Sequence, residues 1–169
     1  MPNQDGKEIA QGVLVKMAEF KKSCEGLNEE ISSRAPEGRW SPKQIISHLC
    51  GSESSGHLPI LKSFIEQDTP EIKIDPENTY WSGKRSRMSL AELLIEFERE
   101  YTRIAAFVES LSEKELSRRA HIPMLKDSPL GEYPTLAQLA AGLSNHHIVF
   151  HIDHMREIMQ ALGLRDNTA

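Results

Sequence analysis

The chain has 169 residues, with 20 Lys and Arg against 25 Asp and Glu, for a formal net charge of -5 at pH 7. At 38% hydrophobic residues it is large and apolar enough for a single domain over residues 1–169 with its own core, which excludes wholesale disorder. No apolar run approaches the ~18 residues of a membrane span, and the acidic balance argues against a nucleic-acid partner, which calls for a basic face.

The first eight residues lack the apolar stretch of a secretory leader, so a cytoplasmic protein is expected. The first helix is predicted from about Gly6 to Gly26. Ile9, Val13, Met17 and Phe20 repeat at i+4 and i+3 and make one stripe, and Gly26 is a C-terminal stop. Cys24 falls near its end; with Cys50 it makes two thiols outside any C-x-x-C pair, read as small apolar residues. Pro36 and Gly38 break the connector.

A second helix starts sharply at Trp40-Ser41-Pro42. The Ser41 hydroxyl caps free amides, and Pro42 suits the first turn because its missing N–H costs nothing there. Ile45, Ile46, Leu49 and Leu58 form its apolar side, with a kink or break expected at Pro59. Residues 67–87 form a long connection, of a length that is often functional. Tyr80 and Trp81 within it, and Tyr133 further on, are candidate pocket walls. Lys84, Arg85 and Arg87 read as solvated surface.

The third helix opens on the capping box Ser89-Leu-Ala-Glu92 and runs to about Leu111. Ser112-Glu-Lys-Glu115 repeats the box and predicts a short helical turn. After an irregular stretch with Pro123, Pro129 and Gly131, a third box, Thr135-Leu-Ala-Gln138, opens the fourth helix. It is expected to run unbroken to Leu162, with Gly163 as its cap. Strand signal is absent, and the economical all-α solution is a four-helix bundle.

Seven histidines are present, and four of them, His146, His147, His151 and His154, lie within residues 145–154. At about 100° per residue, His151 lies about 40° from His147, and His154 about 20° to the other side. Leu136, Ala140, Leu143 and Ile158 share that sector, so three imidazoles extend an inward apolar stripe, while His146 points aside. A buried neutral imidazole needs partners for both ring nitrogens. A divalent cation is one such partner, and histidines at i and i+4 suit bidentate binding. His48, on the second helix, is the natural third ligand. Three imidazoles around zinc or nickel leave open positions, as in catalytic sites. His57 and His121 read as incidental. Ile148 follows His147, so the His-Glu-x-x-His pattern of zinc proteases is missing.

Trp40-Ser-Pro-(x)5-His48-Leu49 and Asn145-His-His-Ile-Val-Phe150-His151-(x)2-His154 resemble the two motifs of the DinB/YfiT-like superfamily, in an element order that covers nearly the whole chain. The resemblance implies a four-helix bundle of up-down-down-up topology, with a divalent metal on His48, His147 and His151. It further implies a metal-dependent transferase or hydrolase that acts on a small-molecule substrate, with a low-molecular-weight thiol or water as the activated partner, and a homodimer. One departure stands out. Many relatives carry glutamine where this chain has His154. That histidine is therefore a candidate for proton transfer, for holding a metal-bound water, or for replacing a ligand, since His151 with His154 at i+3 is a second geometric pairing. The alternatives from other classes are a non-catalytic metal-binding or stress-response bundle, and a plain interaction protein whose histidines pair with carboxylates such as Glu53 or Glu157.

Overall fold

A computed structural model describes residues 4–164. The helices are α1 (Gln4–Ser23), α2 (Glu29–Ser32), α3 (Pro42–Cys50), α4 (Leu58–Glu66), α5 (Gly83–Ser86), α6 (Leu90–Glu109), α7 (Glu113–Leu116), α8 (Leu136–Gly142) and α9 (Val149–Ala161). A π-helical segment, Leu143–Ile148, joins the last two. Among the described residues there is no β-strand, only isolated bridges such as Glu71 with His121. No described helix is long and apolar enough to cross a membrane.

The helix starts follow from local chemistry. Ser41, Ser89, Ser112 and Thr135 each accept a hydrogen bond from the backbone N–H three residues on, and the Gln or Glu side chain there accepts one from the cap residue's own N–H. Each pair satisfies two amides that a helix start otherwise leaves open. Gly26 and Gly163 stand just past helix ends with φ of 95° and 86°, a conformation glycine adopts without steric cost.

α1 packs along α6 and along the α8–π–α9 unit, while α3 packs on α6 and α9. The bundle order around its axis is therefore α1, α6, α3 and the C-terminal unit. Helices adjacent in sequence, α1 with α3 and α6 with α9, lie on diagonals. Long connections are needed to cross the bundle ends between them. A continuous core runs from Ala10 on α1 to Ile158 on α9, with Phe20, Phe97 and Tyr101 in ring contact at its centre.

Two elements differ from expectation. The second helix does not kink at Pro59; it ends at Cys50, and Pro59 sits in the first turn of a separate helix, α4. The break is held by Glu100 of α6, whose Oε1 accepts the backbone N–H groups of His57 (2.8 Å) and Leu58 (3.0 Å). This buried carboxylate caps α4 from across the bundle, and Gly56 leaves it room: a Cβ there would lie 2.3 Å from the carboxyl group. The fourth helix is likewise not one regular rod. The buried side chains of α8 are Leu136, Leu139 and Ala140; from the last residue of the π segment onward they are Ile148, His151, Ile152, Met155 and Ile158. On a regular wheel these two sets are displaced by about 100°, one residue's turn. The π segment absorbs one extra residue and keeps both halves facing the core.

Candidate metal centre

His48 projects from the last turn of α3, His147 from the π segment and His151 from α9. One ring nitrogen from each lies within 4.8 Å of the other two. Among the described residues no other set of histidine, cysteine or carboxylate side chains converges in this way. The Nε2 atoms of His48 and His147 are 3.0 Å apart. The rings of His48 and His151 stand 4.7 Å apart, and those of His147 and His151 4.8 Å.

The tautomer of His48 is fixed by its surroundings. Its Nδ1–H donates to the Asn78 carbonyl at 2.7 Å, so its Nε2 presents a lone pair to His147. If the Nε2 of His147 also carries a lone pair, two lone pairs face each other. If it carries the proton, the buried Nδ1 of His147 is left as an acceptor without a donor. In either state that Nδ1 has no protein partner. A cation shared by both Nε2 lone pairs removes the confrontation. Two imidazole nitrogens about 2.0–2.1 Å from one tetrahedral ion stand about 3.3 Å apart, close to the separation found here.

The carbonyl that orients His48 belongs to a tightly tied loop. The Tyr80 N–H donates to the Asn78 side chain at 2.8 Å, and Tyr80 takes a left-handed φ of 52°. The Ser47 hydroxyl donates to the Thr79 carbonyl at 2.6 Å. Behind both lies Arg85, which is fully buried and not the solvated cation its sequence neighbours suggested. Its guanidinium donates to the carbonyls of Ser47, Gly51 and Tyr80 and to the Ser47 hydroxyl, and pairs with Glu96 at 2.8 Å. It binds the end of α3 to the loop that holds His48.

His154 is half-exposed and lies outside the converging triad; its Nδ1 is 3.3 Å from the Nδ1 of His151. Trp40 covers the cluster from the solvent side, with ring centroids 5.2 Å from His48, 6.3 Å from His151 and 5.6 Å from His154. Exposed Phe150 meets His151 edge-on at 5.0 Å. His146 is exposed, as its direction on the helix predicted. His57 is not incidental. Because the helix breaks before it, its Nε2–H reaches back to the His48 carbonyl at 3.2 Å, and its ring meets Tyr80. His121 lies away from the cluster, stacked on Tyr133 between Glu71 and Glu132.

A cavity of about 430 Å³ opens beside His48 and His147. Tyr80 lines it as expected, whereas Trp81 packs against the core and Tyr133 against His121, so neither belongs to its wall. The roles of Arg85, Asn78 and His57 have no signature in the sequence, because each depends on a loop returning to the end of α3. For Trp40, its place one residue ahead of the Ser41 cap was the available signal.

Burial is the main influence on the cluster's titration. With a smaller contribution from neighbouring imidazoles, it lowers the pKa of His57 to about 4, of His147 to about 3 and of His151 to about 2. His48 and His154 are also lowered, chiefly by burial. The rings are therefore neutral near pH 7, the form that binds metals. In the unfolded chain the same rings take up protons below about pH 6.5. As pH falls from 6.5, the unfolded state gains protons that the folded state refuses, so stability drops until the folded values are reached. His57, His147 and His151 each contribute a loss of roughly 2 kcal/mol between pH 7 and pH 5. Urea denaturation of metal-free protein at the two pH values measures it, and an unchanged midpoint would contradict the buried neutral state.

The sequence profile of the DinB superfamily matches residues 17–159. YfiT from Bacillus subtilis, described as a probable metal-dependent hydrolase with an unusual four-helix bundle topology, superposes with a TM-score of 0.74. The superposition covers 98% of this chain and 91% of that one at 19% sequence identity, a likeness of fold. No curated protein matches the chain.

Proposed function

Because the chain belongs to the DinB superfamily, we propose that it is a metal-dependent enzyme, of transferase or hydrolase type, whose divalent cation is held by His48, His147 and His151. The observation that carries this reading is the approach of three neutral ring nitrogens to within 4.8 Å of one another, from helices far apart in the chain. Zinc or nickel suits such a donor set. Bound there, such a cation would supply Lewis acidity, lowering the pKa of a thiol or water toward the neutral range.

The chain's own groups prepare that chemistry. Asn78 fixes the ring of His48 through its carbonyl, the kind of outer partner that sets tautomer and orientation at metal sites. His154 stands in the same relation to His151: with His151 binding through Nε2, its Nδ1–H would donate to His154. His154 is half-exposed and neutral near pH 7, and serves as the proton carrier between the cluster and solvent. Trp40 and Phe150 shield the cluster from bulk water. The thiol in question is a low-molecular-weight one, by the same family relation.

Elemental analysis of protein made without an affinity tag tests the reading. About one equivalent of zinc or nickel is expected. At metal concentrations near 100 times the dissociation constant, the melting temperature should exceed that of chelator-treated protein by roughly 5–10 °C. Metal-dependent turnover of a thiol with an electrophile, or of a hydrolysable ester, would complete the assignment. Stabilisation without turnover on any such pair would leave a metal-binding bundle of non-catalytic role, and no metal effect at all would reject the site.

A further inference from the structure

We infer that the cavity beside His48 and His147 receives the uncharged, apolar body of a small molecule. The inference rests on the metal-enzyme reading only for the statement that this molecule's reacting end faces the histidines; the apolar character of the site stands without it.

The cavity is closed on one side by His48 and His147 and walled by Ile60, Leu61, Ile74, Leu130, Leu139 and Leu143. These residues come from α4, α8, the π segment and two irregular loops. At about 430 Å³ it falls near the low end of the ~300–1,000 Å³ range of small-molecule sites.

Three of its polar side chains are committed elsewhere, and His146, His147 and the Tyr80 hydroxyl are the few that face an otherwise apolar wall. His48 Nδ1–H goes to the Asn78 carbonyl, His57 Nε2–H to the His48 carbonyl, and the Ser128 hydroxyl to the Leu125 carbonyl. A sugar or peptide placed here would leave its hydration shell and find few partners in exchange, a loss of about 1–3 kcal/mol for each buried group left unpaired. The charged lining groups are Lys73 and Asp75, both exposed and of opposite sign, so the rim selects neither anions nor cations. At the mouth Phe150 is 63% and Met124 46% exposed. Two large apolar side chains held in water at one opening are a feature of ligand-binding clefts. A hydrophilic thiol therefore does not occupy this space; an apolar co-substrate does.

The experiment is a fluorescence titration of the full chain with N-phenyl-1-naphthylamine, an uncharged bicyclic dye, in zinc-loaded and chelator-treated protein. Saturable binding at one site is expected in both. Leu130→Asp, in the cavity wall, and Met124→Asp, at an exposed side chain, should each weaken it at least tenfold without changing metal content; Met124→Asp should also leave the melting temperature unchanged, whereas Leu130→Asp should lower it, because Leu130 packs against the core. Ile95→Asp, in a separate cavity on the outer face of α6, should not. The second mouth variant guards against misfolding of the first. Absence of saturable binding, or binding indifferent to both Leu130→Asp and Met124→Asp, overturns the inference. Dye binding in a protein that takes up no metal would reject the metal centre and leave the apolar site standing; metal uptake without dye binding would do the reverse.

Discussion

Substituting His151 by alanine is expected to weaken zinc binding by more than ~100-fold, beyond the 10–100-fold that loss of an outer partner costs at metal sites. His151 is buried, at 3% exposure, and its ring lies under 5 Å from those of both His48 and His147. Removing it leaves two imidazoles, and among the described residues no other group converges with both. His48→Ala should match it. His154→Ala should cost only the smaller factor, because His154 touches the cluster through the Nδ1 of His151 alone. His146→Ala, at an exposed position, should change nothing. Isothermal titration with zinc distinguishes these outcomes. It also separates the two ligand pairings open from the sequence: if His151 and His154 were the pair, His147→Ala would be tolerated and His154→Ala would not.

Arg85→Met is the second large expected effect, and it acts through the backbone beside His48 rather than through a histidine of the triad. The Arg85 guanidinium is fully buried and serves three carbonyls, one hydroxyl and the Glu96 carboxylate at once. Methionine fills much of the volume but supplies no donor, leaving Glu96 without its cation and the carbonyls of Ser47, Gly51 and Tyr80 short of a partner. Breaking a buried pair from one side typically costs about 3–5 kcal/mol. The expected loss is of that size, read by urea denaturation in the presence of chelator so that metal plays no part. Arg85→Lys keeps the charge but not the fork, and should fall between. Because Ser47 and Tyr80 flank the contacts that orient His48, zinc affinity should fall in Arg85→Lys even where the fold survives. A lysine variant with wild-type zinc affinity would separate the staple from the site.

How much of this could be read in the sequence depended on distance along the chain. Ser41 with Gln44, Ser89 with Glu92, Ser112 with Glu115 and Thr135 with Gln138 are local devices, and each starts a helix where its spelling says it should. The apolar stripe of α1 is equally local. The bundle and its DinB-type fold follow from such pieces. The inward turn of His151 was also legible. What was not legible involves partners brought together by folding. Pro59 looked like the breaker of the second helix, but the break is set by Glu100, on a different helix, which draws the amides of His57 and Leu58 away from α3. Arg85 looked like one of three surface cations until the loop carried it beneath α3. Wheel arithmetic from a regular helix placed His147, His151 and His154 together at the centre of the stripe. With the π segment inserted, the inward direction lies nearer Ile148 and Met155, so His151 is fully inside while His147 and His154 sit toward the edges.

That inserted residue bears on how other members of the superfamily should be aligned with this chain. The stretch from the Thr135 cap to His147 spends one position more than a regular helix would need to bring the same ring to the same place. A homologue without the π segment would therefore require a one-position gap between Gly142 and His147, inside what reads as uninterrupted helix. Alignment without that gap would pair its counterpart of His147 with His146, the exposed ring, one column away from the position that faces the cluster.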